Sequence, residues 1–80
     1  MPRYYFHFRD VDGLDKDQDG FDLPTLTDAQ IEARRIIHEL CKVWSDLPPE
    51  SLSAMAIEVA DKTGQIVFIV PFSDAVGQNH

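Results

Sequence analysis

The residues best suited to chemistry lie in the acidic run DKDQDG at positions 15–20. Its three aspartates, Asp15, Asp17 and Asp19, stand at positions one, three and five of an EF-hand calcium loop, and the glycine required at position six follows them. The match then fails, because position twelve is Leu26, where such a loop needs a bidentate glutamate. The interpretation that we prefer is a solvated loop whose aspartates accept hydrogen bonds from turn amides. A weak Ca²⁺ site at the three aspartates is the alternative.

Histidine and cysteine are the other side chains that could bind a metal or attack a substrate. His38 and Cys41 lie three residues apart on a predicted helix, so their side chains can meet, but a structural zinc needs four ligands. Cys41 borders the apolar stripe of that helix, which indicates a buried structural thiol rather than a nucleophile. The sequence contains no serine–histidine–acid grouping, phosphate-binding glycine loop or Walker-type lysine. We therefore predict that the protein is not an enzyme and has no cofactor other than the Ca²⁺ just considered.

The charge of the chain limits its partners. Its formal net charge is −7, and six aspartates against one lysine, Lys16, fall between Asp10 and Asp22. Two arginines interleave with an aromatic residue on one face of the first strand, as in some single-stranded nucleic-acid sites. More often such residues form a solvated face, or pair with carboxylates such as Glu58 on a neighbouring strand. A chain this acidic is not expected to bind nucleic acid, and it suits a basic protein partner or a divalent cation better.

One helix, predicted from Leu26 to Pro48, is the element around which the rest of the chain is arranged, and we expect no other helix. Thr27 and Gln30 have the spacing of a capping box at its start. Pro48 and Pro49 end it, because proline supplies no amide hydrogen and disfavours helix in the residue before it. Its apolar residues recur at three- and four-residue steps and form one stripe: Ala29, Ala33, Ile36, Ile37, Leu40, Trp44 and Leu47.

Four strands are predicted around this helix from alternating polarity and turn residues. The strand segments are residues 3–9, 21–23, 53–60 and 65–72, the last two joined by a turn at 61–64. The predicted fold class is α+β with the order ββαββ, a four-stranded antiparallel sheet in the order 2-1-3-4 with one helix on one face. Residues 1–73 form one small domain in this interpretation, and residues 74–80 form a frayed C-terminal tail.

The face of the sheet that the helix does not cover is partly apolar. Val67 and Ile69 alternate with the core-facing residues of the last strand, and Tyr5 and His7 share the outer face of the first strand. An uncovered apolar face marks a partner surface, and the small core of an 80-residue chain gains from a second copy. We therefore predict a protein–protein interaction domain that forms a homodimer through the sheet face or an edge. These four residues are the expected contacts, and the acidic loop is a secondary site.

Motifs in the first half of the chain carry a resemblance to known proteins. They are Met1 to His7, Arg9-Asp10, Asp12-Gly13, Gly20 to Pro24, and Glu32-Ala33-Arg34. These motifs resemble a family of short proteobacterial proteins that carry a domain of unknown function, and the resemblance implies no particular activity. The chain is similar, more weakly, to HicB-type antitoxins, which implies an antitoxin-like inhibitor of a basic toxin. Those antitoxins have an additional strand before the helix that this sequence does not accommodate.

The expected compartment follows from targeting signals and cysteine usage. The residues after Met1 do not form the apolar segment of a signal peptide, and no apolar run reaches the ~18 residues of a membrane span. The single Cys41 cannot form an internal disulfide, which is typical of a reducing compartment. We expect a cytoplasmic protein that does not bind membranes.

Overall fold

Residues 2–44 and 48–76 are described by the computed structural model, in which an antiparallel sheet carries helices on one face. In chain order the elements are β1 (Arg3–Asp10), β2 (Gly13–Asp15), β3 (Phe21–Asp22), α1 (Leu26–Val43), α2 (Pro49–Ala54), β4 (Ala56–Ala60), β5 (Ile66–Pro71) and α3 (Phe72–Val76). The sheet order is β2-β1-β4-β5, and β3 also pairs with β1. No helix in the described ranges is long and apolar enough to cross a membrane.

The predicted α+β class and strand order are confirmed, with one additional strand. The strand predicted at residues 21–23 is present as β3, which pairs with the start of β1, and β2 is an additional strand that pairs with the end of β1. The hairpin between β1 and β2 contains Gly13 at a φ of 140°, a backbone conformation that other residues rarely adopt. The segment expected to be an open acidic loop therefore begins as part of the sheet.

Helix α1 begins at a cap that the sequence analysis placed two residues too late. Thr25 is the N-cap, with an extended backbone, and its Oγ1 accepts from the amide of Asp28 at 3.1 Å. The predicted cap at Thr27 is wrong, because Thr27 already lies inside the first turn.

The two threonines provide a direct test of this assignment. Thr25→Ala is expected to lower the free energy of unfolding by about 1 kcal/mol, because it removes the side-chain acceptor of an N-terminal amide. Thr27→Ala, the same change two residues later, is expected to be close to neutral. Urea unfolding of both variants, followed by circular dichroism, measures the difference. A larger loss from Thr27→Ala would contradict the observed cap.

Helix α1 ends at Val43, with Trp44 as its C-cap, and the predicted end at residue 48 is wrong. The predicted stripe residue Leu47 lies outside the described residues. Pro49, predicted to end α1, instead starts α2, because proline suits the first helical position, where no amide hydrogen is needed. The expectation of a single helix is therefore wrong.

A third helix occupies part of the predicted tail. α3 begins at Phe72, whose side chain is fully buried and whose amide donates to the carbonyl of Met55 at 3.0 Å. Residues 74–76 of the tail predicted to be frayed (74–80) belong to α3, and residues 77–80 lie outside the described ranges. The strand predicted at residues 53–60 is shortened to β4 because α2 includes its first residues.

The core lies between the sheet and α1. The predicted stripe is confirmed at Ala29, Ala33 and Ile37, which are fully buried. The two alanines allow the helix backbone to approach the sheet closely, since they add little volume between the two layers. The residues that pack with them from the sheet and the shorter helices include Phe6, Met55, Ile57, Val59, Val70 and Phe72.

A β-bulge redirects the side chains of β5. The register of β4 and β5 changes between Val59 and Ala60, which align with residues 68 and 66. Val67 is therefore an extra residue without a partner in β4. Such a residue shifts the alternation of side chains, so that the residues before it point to the opposite face of the sheet from the one that regular alternation predicts. Val67 packs against the core, so the prediction that it lies on the uncovered face is wrong. Ile66 takes its place on that face.

Candidate functional site

Two ionisable side chains are buried on the sheet face opposite α1. His7 in β1 and Glu58 in β4 are cross-strand partners, and they are only 9% and 7% exposed. Because side chains alternate along a strand, both point away from Phe6 and the core. Groups of this kind are rarely buried without partners, so their partners define the site.

Glu58 is neutralised by an arginine of the neighbouring strand. The Nε of Arg9 donates to Oε2 of Glu58 within an ion pair. This hydrogen bond and the charge of the carboxylate raise the pKa of Arg9 above its usual value. The expected pairing of a first-strand arginine with Glu58 is confirmed.

His7 is covered by the acidic run. The amide of Asp17 donates to Nδ1 of His7 at 3.0 Å. A ring nitrogen that accepts a hydrogen bond carries no proton, so the neutral imidazole carries its proton on Nε2. His7 therefore lies beneath the loop rather than on an open face of the sheet.

The carboxylate of Asp17 fills a gap in the hydrogen bonding of β1. Its Oδ2 accepts from the amides of Phe6 and Gly20, both at 3.2 Å, and its Oδ1 accepts from the amide of Asp19 at 3.1 Å. Phe6 lies between the parts of β1 that pair with β3 and with β2, so neither strand supplies an acceptor for its amide. The acidic run can lie close to the backbone of β1 at Gly20 because glycine has no side chain. A Cβ at this position would lie 3.0 Å from the carbonyl oxygen of Tyr4.

The three aspartates of the possible Ca²⁺ site do not converge. Asp17 is turned onto backbone amides, and Asp15 lies in β2 with its backbone aligned to Phe8. In the described parts of the chain, no group of three histidine, cysteine, aspartate or glutamate side chains is placed to hold a metal ion. Asp17 would have to release three amides to bind a cation. The DxDxDG pattern thus includes an aspartate that stabilises its own loop.

An open pocket of about 500 Å³ lies between the acidic run and the turn that joins β4 to β5. Its lining includes Tyr5 and His7 from β1, Leu14 from β2, Lys16 from the acidic run, and Lys62 and Ile66 from the β4–β5 hairpin. The buried His7–Glu58 pair forms part of this lining, so the pocket combines titratable groups, cations and apolar surface.

The strand β5 forms an open edge of the sheet. Among the described residues it pairs with β4 alone, its sequence IVFIVP has no charge, and Ile69 is 52% exposed. The amide of Phe72 is bonded to the carbonyl of Met55, on the side of β4. Because hydrogen-bonding groups alternate along a strand, the amide and carbonyl of Ile69 point away from β4. Ile69 therefore presents a donor and an acceptor to a further strand.

The four predicted interaction residues fall in three different places. Tyr5 and His7 line the pocket, Ile69 lies on the open edge, and Val67 packs in the core. The sequence analysis missed the contribution of Ile66 and of the two lysines to the pocket. The sequence carries no signal for these contributions. Ile66 reaches the pocket because of the bulge in β5, and the two lysines meet there only because the acidic run folds over β1 towards the β4–β5 turn.

The two candidate ligands on α1, His38 and Cys41, lie in different environments. Cys41 is half-buried against the core, and desolvation raises the pKa of its thiol. A raised pKa lowers the thiolate fraction at neutral pH, which makes Cys41 a poor nucleophile. His38 is exposed on α1.

One comparison with known proteins gives a match. The family described as a domain of unknown function, DUF6894, matches residues 3–73. The predicted resemblance to a family that carries a domain of unknown function is thereby confirmed. The chain has no significant match among curated proteins or among solved structures.

Proposed function

This chain belongs to the DUF6894 family, and we propose that it is a protein–protein interaction domain that forms a homodimer through the open edge of β5. The observation that supports this proposal is the uncharged edge strand, in which Ile69 has a backbone donor and acceptor directed away from β4. Edge strands without charges or a covering element pair readily with another strand. Pro71 protects only the end of β5.

A second copy of the chain fits this edge by symmetry. When two β5 strands lie antiparallel about a two-fold axis at Ile69, this residue faces its own counterpart. Two such residues in an antiparallel pair exchange both of their N–H···O bonds. The exposed Ile69 side chains then pack against each other, a contact of about 0.2–1 kcal/mol.

The distribution of charge favours the β5 edge over the other edge. The aspartates between Asp10 and Asp22 belong to the side of the sheet formed by β1, β2 and β3, and β5 lies at the opposite end of the strand order. Each copy carries a net charge of −7. Pairing through β5 keeps the two acidic segments apart, which weakens their mutual repulsion.

The variant Ile69→Lys is expected to convert the dimer into a monomer. It places a charge on the edge strand, and the two copies would bring two lysines together at the axis. Sedimentation equilibrium over a range of protein concentrations should give twice the mass of one chain for the wild type. The same measurement should give the mass of one chain for Ile69→Lys.

The matched control is Ile31→Lys. Ile31 is 60% exposed on α1 and receives the same change in charge and size away from β5. This variant should keep the mass of the wild type. The proposal fails if the wild type has the mass of one chain at every concentration, if the dimer survives Ile69→Lys, or if both variants dissociate it equally.

A further inference from the structure

The carboxylates that line the pocket are already bound within the protein. Asp17 accepts from three amides, and Glu58 accepts from an arginine. Asp61, in the turn between β4 and β5, accepts from the amide and the hydroxyl of Thr63 at 2.9 and 2.5 Å and from the amide of Gln65 at 3.2 Å. The Thr63 hydrogen bond is the main reason that the pKa of Asp61 lies below its usual value. These carboxylates therefore stabilise the loop and the turn.

Three hydrogen-bond donors that line the pocket have no acceptor within the described residues. Lys16 and Lys62 are both exposed and form no ion pair with residues 2–44 or 48–76. His7 binds the Asp17 amide through Nδ1, and within the same ranges its Nε2 proton has no acceptor. In a chain with a net charge of −7, the unused polar groups of this pocket thus include two cations and a neutral donor.

Apolar surface borders these donors. Leu14 and Tyr5 are half-buried in the wall of the pocket, and Ile66 is placed there by the bulge in β5. The volume of about 500 Å³ is in the range typical of small-molecule sites. An occupant can therefore place a charged end against the donors and an apolar body against the wall.

We propose that this pocket binds a small organic monoanion, a carboxylate attached to an apolar or aromatic body. Lys16, Lys62 and Nε2 of His7 donate to the carboxylate, and such charge-assisted hydrogen bonds are stronger than neutral ones. A multiply charged phosphate is opposed by the carboxylates in the lining and by the negative field of the whole chain. The pocket opens on the face of the sheet, so the proposal does not depend on dimerisation through the β5 edge.

Benzoate is a suitable probe for this site. Titration of the full chain at pH 7, followed by amide NMR, should give saturable shifts for Tyr5, Lys16 and Lys62. Benzamide has the same shape without the charge and should bind about tenfold more weakly, because its neutral carbonyl accepts weaker hydrogen bonds. The double variant Lys16→Gln/Lys62→Gln should weaken benzoate binding by about tenfold or more for the same reason.

A second double variant controls for net charge. Arg34→Gln/Lys42→Gln removes the same two charges from α1, outside the pocket lining, and should leave the affinity for benzoate within about twofold of the wild type. The proposal is overturned if Lys16→Gln/Lys62→Gln binds benzoate as well as the wild type does. It is also overturned if benzamide or inorganic phosphate binds as tightly as benzoate, or if the shifts rise linearly without saturation.

Discussion

Replacing Asp17 with alanine is expected to lower the free energy of unfolding by about 2–3 kcal/mol, which would be one of the largest effects of any single change on this sheet face. The carboxylate binds three backbone amides, and the partly buried amide of Phe6 has no other acceptor on its side of β1. Removing a charged acceptor leaves that donor unsatisfied, which costs more than the loss of an exposed hydrogen bond. A domain of this size has only ~3–5 kcal/mol of net stability from its core, so this substitution is expected to remove a large part of the free energy of unfolding.

The same substitution at Asp15 is the matched control. Asp15 is exposed, its pairing with β1 is through the backbone, and alanine there should change stability by less than about 0.5 kcal/mol. Asp17→Asn keeps one acceptor oxygen and should give an intermediate loss. Urea unfolding by circular dichroism at one fixed protein concentration ranks the three variants with the same contribution from association in each. Equal losses at Asp15 and Asp17 would show that the carboxylate does not support β1.

The features of the fold that the sequence predicts correctly are those that depend on repeated patterns. The alternation of residues 3–9 defines β1, and the stripe containing Ala33 and Ile37 defines the buried side of α1. The turn at residues 61–64 and the strand order follow from connection lengths and chain direction. Each of these inferences rests on many residues at once, so no single irregularity changes it.

The features that the sequence does not predict depend on single residues in a tertiary context. The bulge at Val67 turns Val67 towards the core and Ile66 towards the opposite face of the sheet, and the apolar composition of β5 gives no sign of this change. Asp17 looks like its neighbouring aspartates in the sequence, and only the gap between β2 and β3 selects it as the acceptor for Phe6. The pocket therefore could not be predicted, because its lining depends on both of these local events.

Phe72→Ala is expected to leave about half of the protein unfolded at room temperature. The Phe72 side chain is fully buried at the start of α3, and its ring packs edge to face on Phe8 with the centroids 5.8 Å apart. Truncating a buried phenylalanine costs about 3–5 kcal/mol, because it removes apolar burial and leaves a cavity. That loss is comparable to the ~3–5 kcal/mol of net stability expected for a domain of this size.

Two further variants make the result interpretable even if Phe72→Ala cannot be purified. Phe72→Leu keeps most of the buried volume and should cost about 1–1.5 kcal/mol, so its urea midpoint remains measurable. Phe21→Ala makes the same truncation at a ring that is 45% exposed, although it touches Phe6, and should cost roughly half as much as Phe72→Ala or less. If Phe72→Ala cost no more than Phe21→Ala, residue 72 would belong to a frayed tail rather than to the core. A much larger loss at Phe72 would instead show that the chain beyond β5 closes the core, because this ring joins α3 to β1.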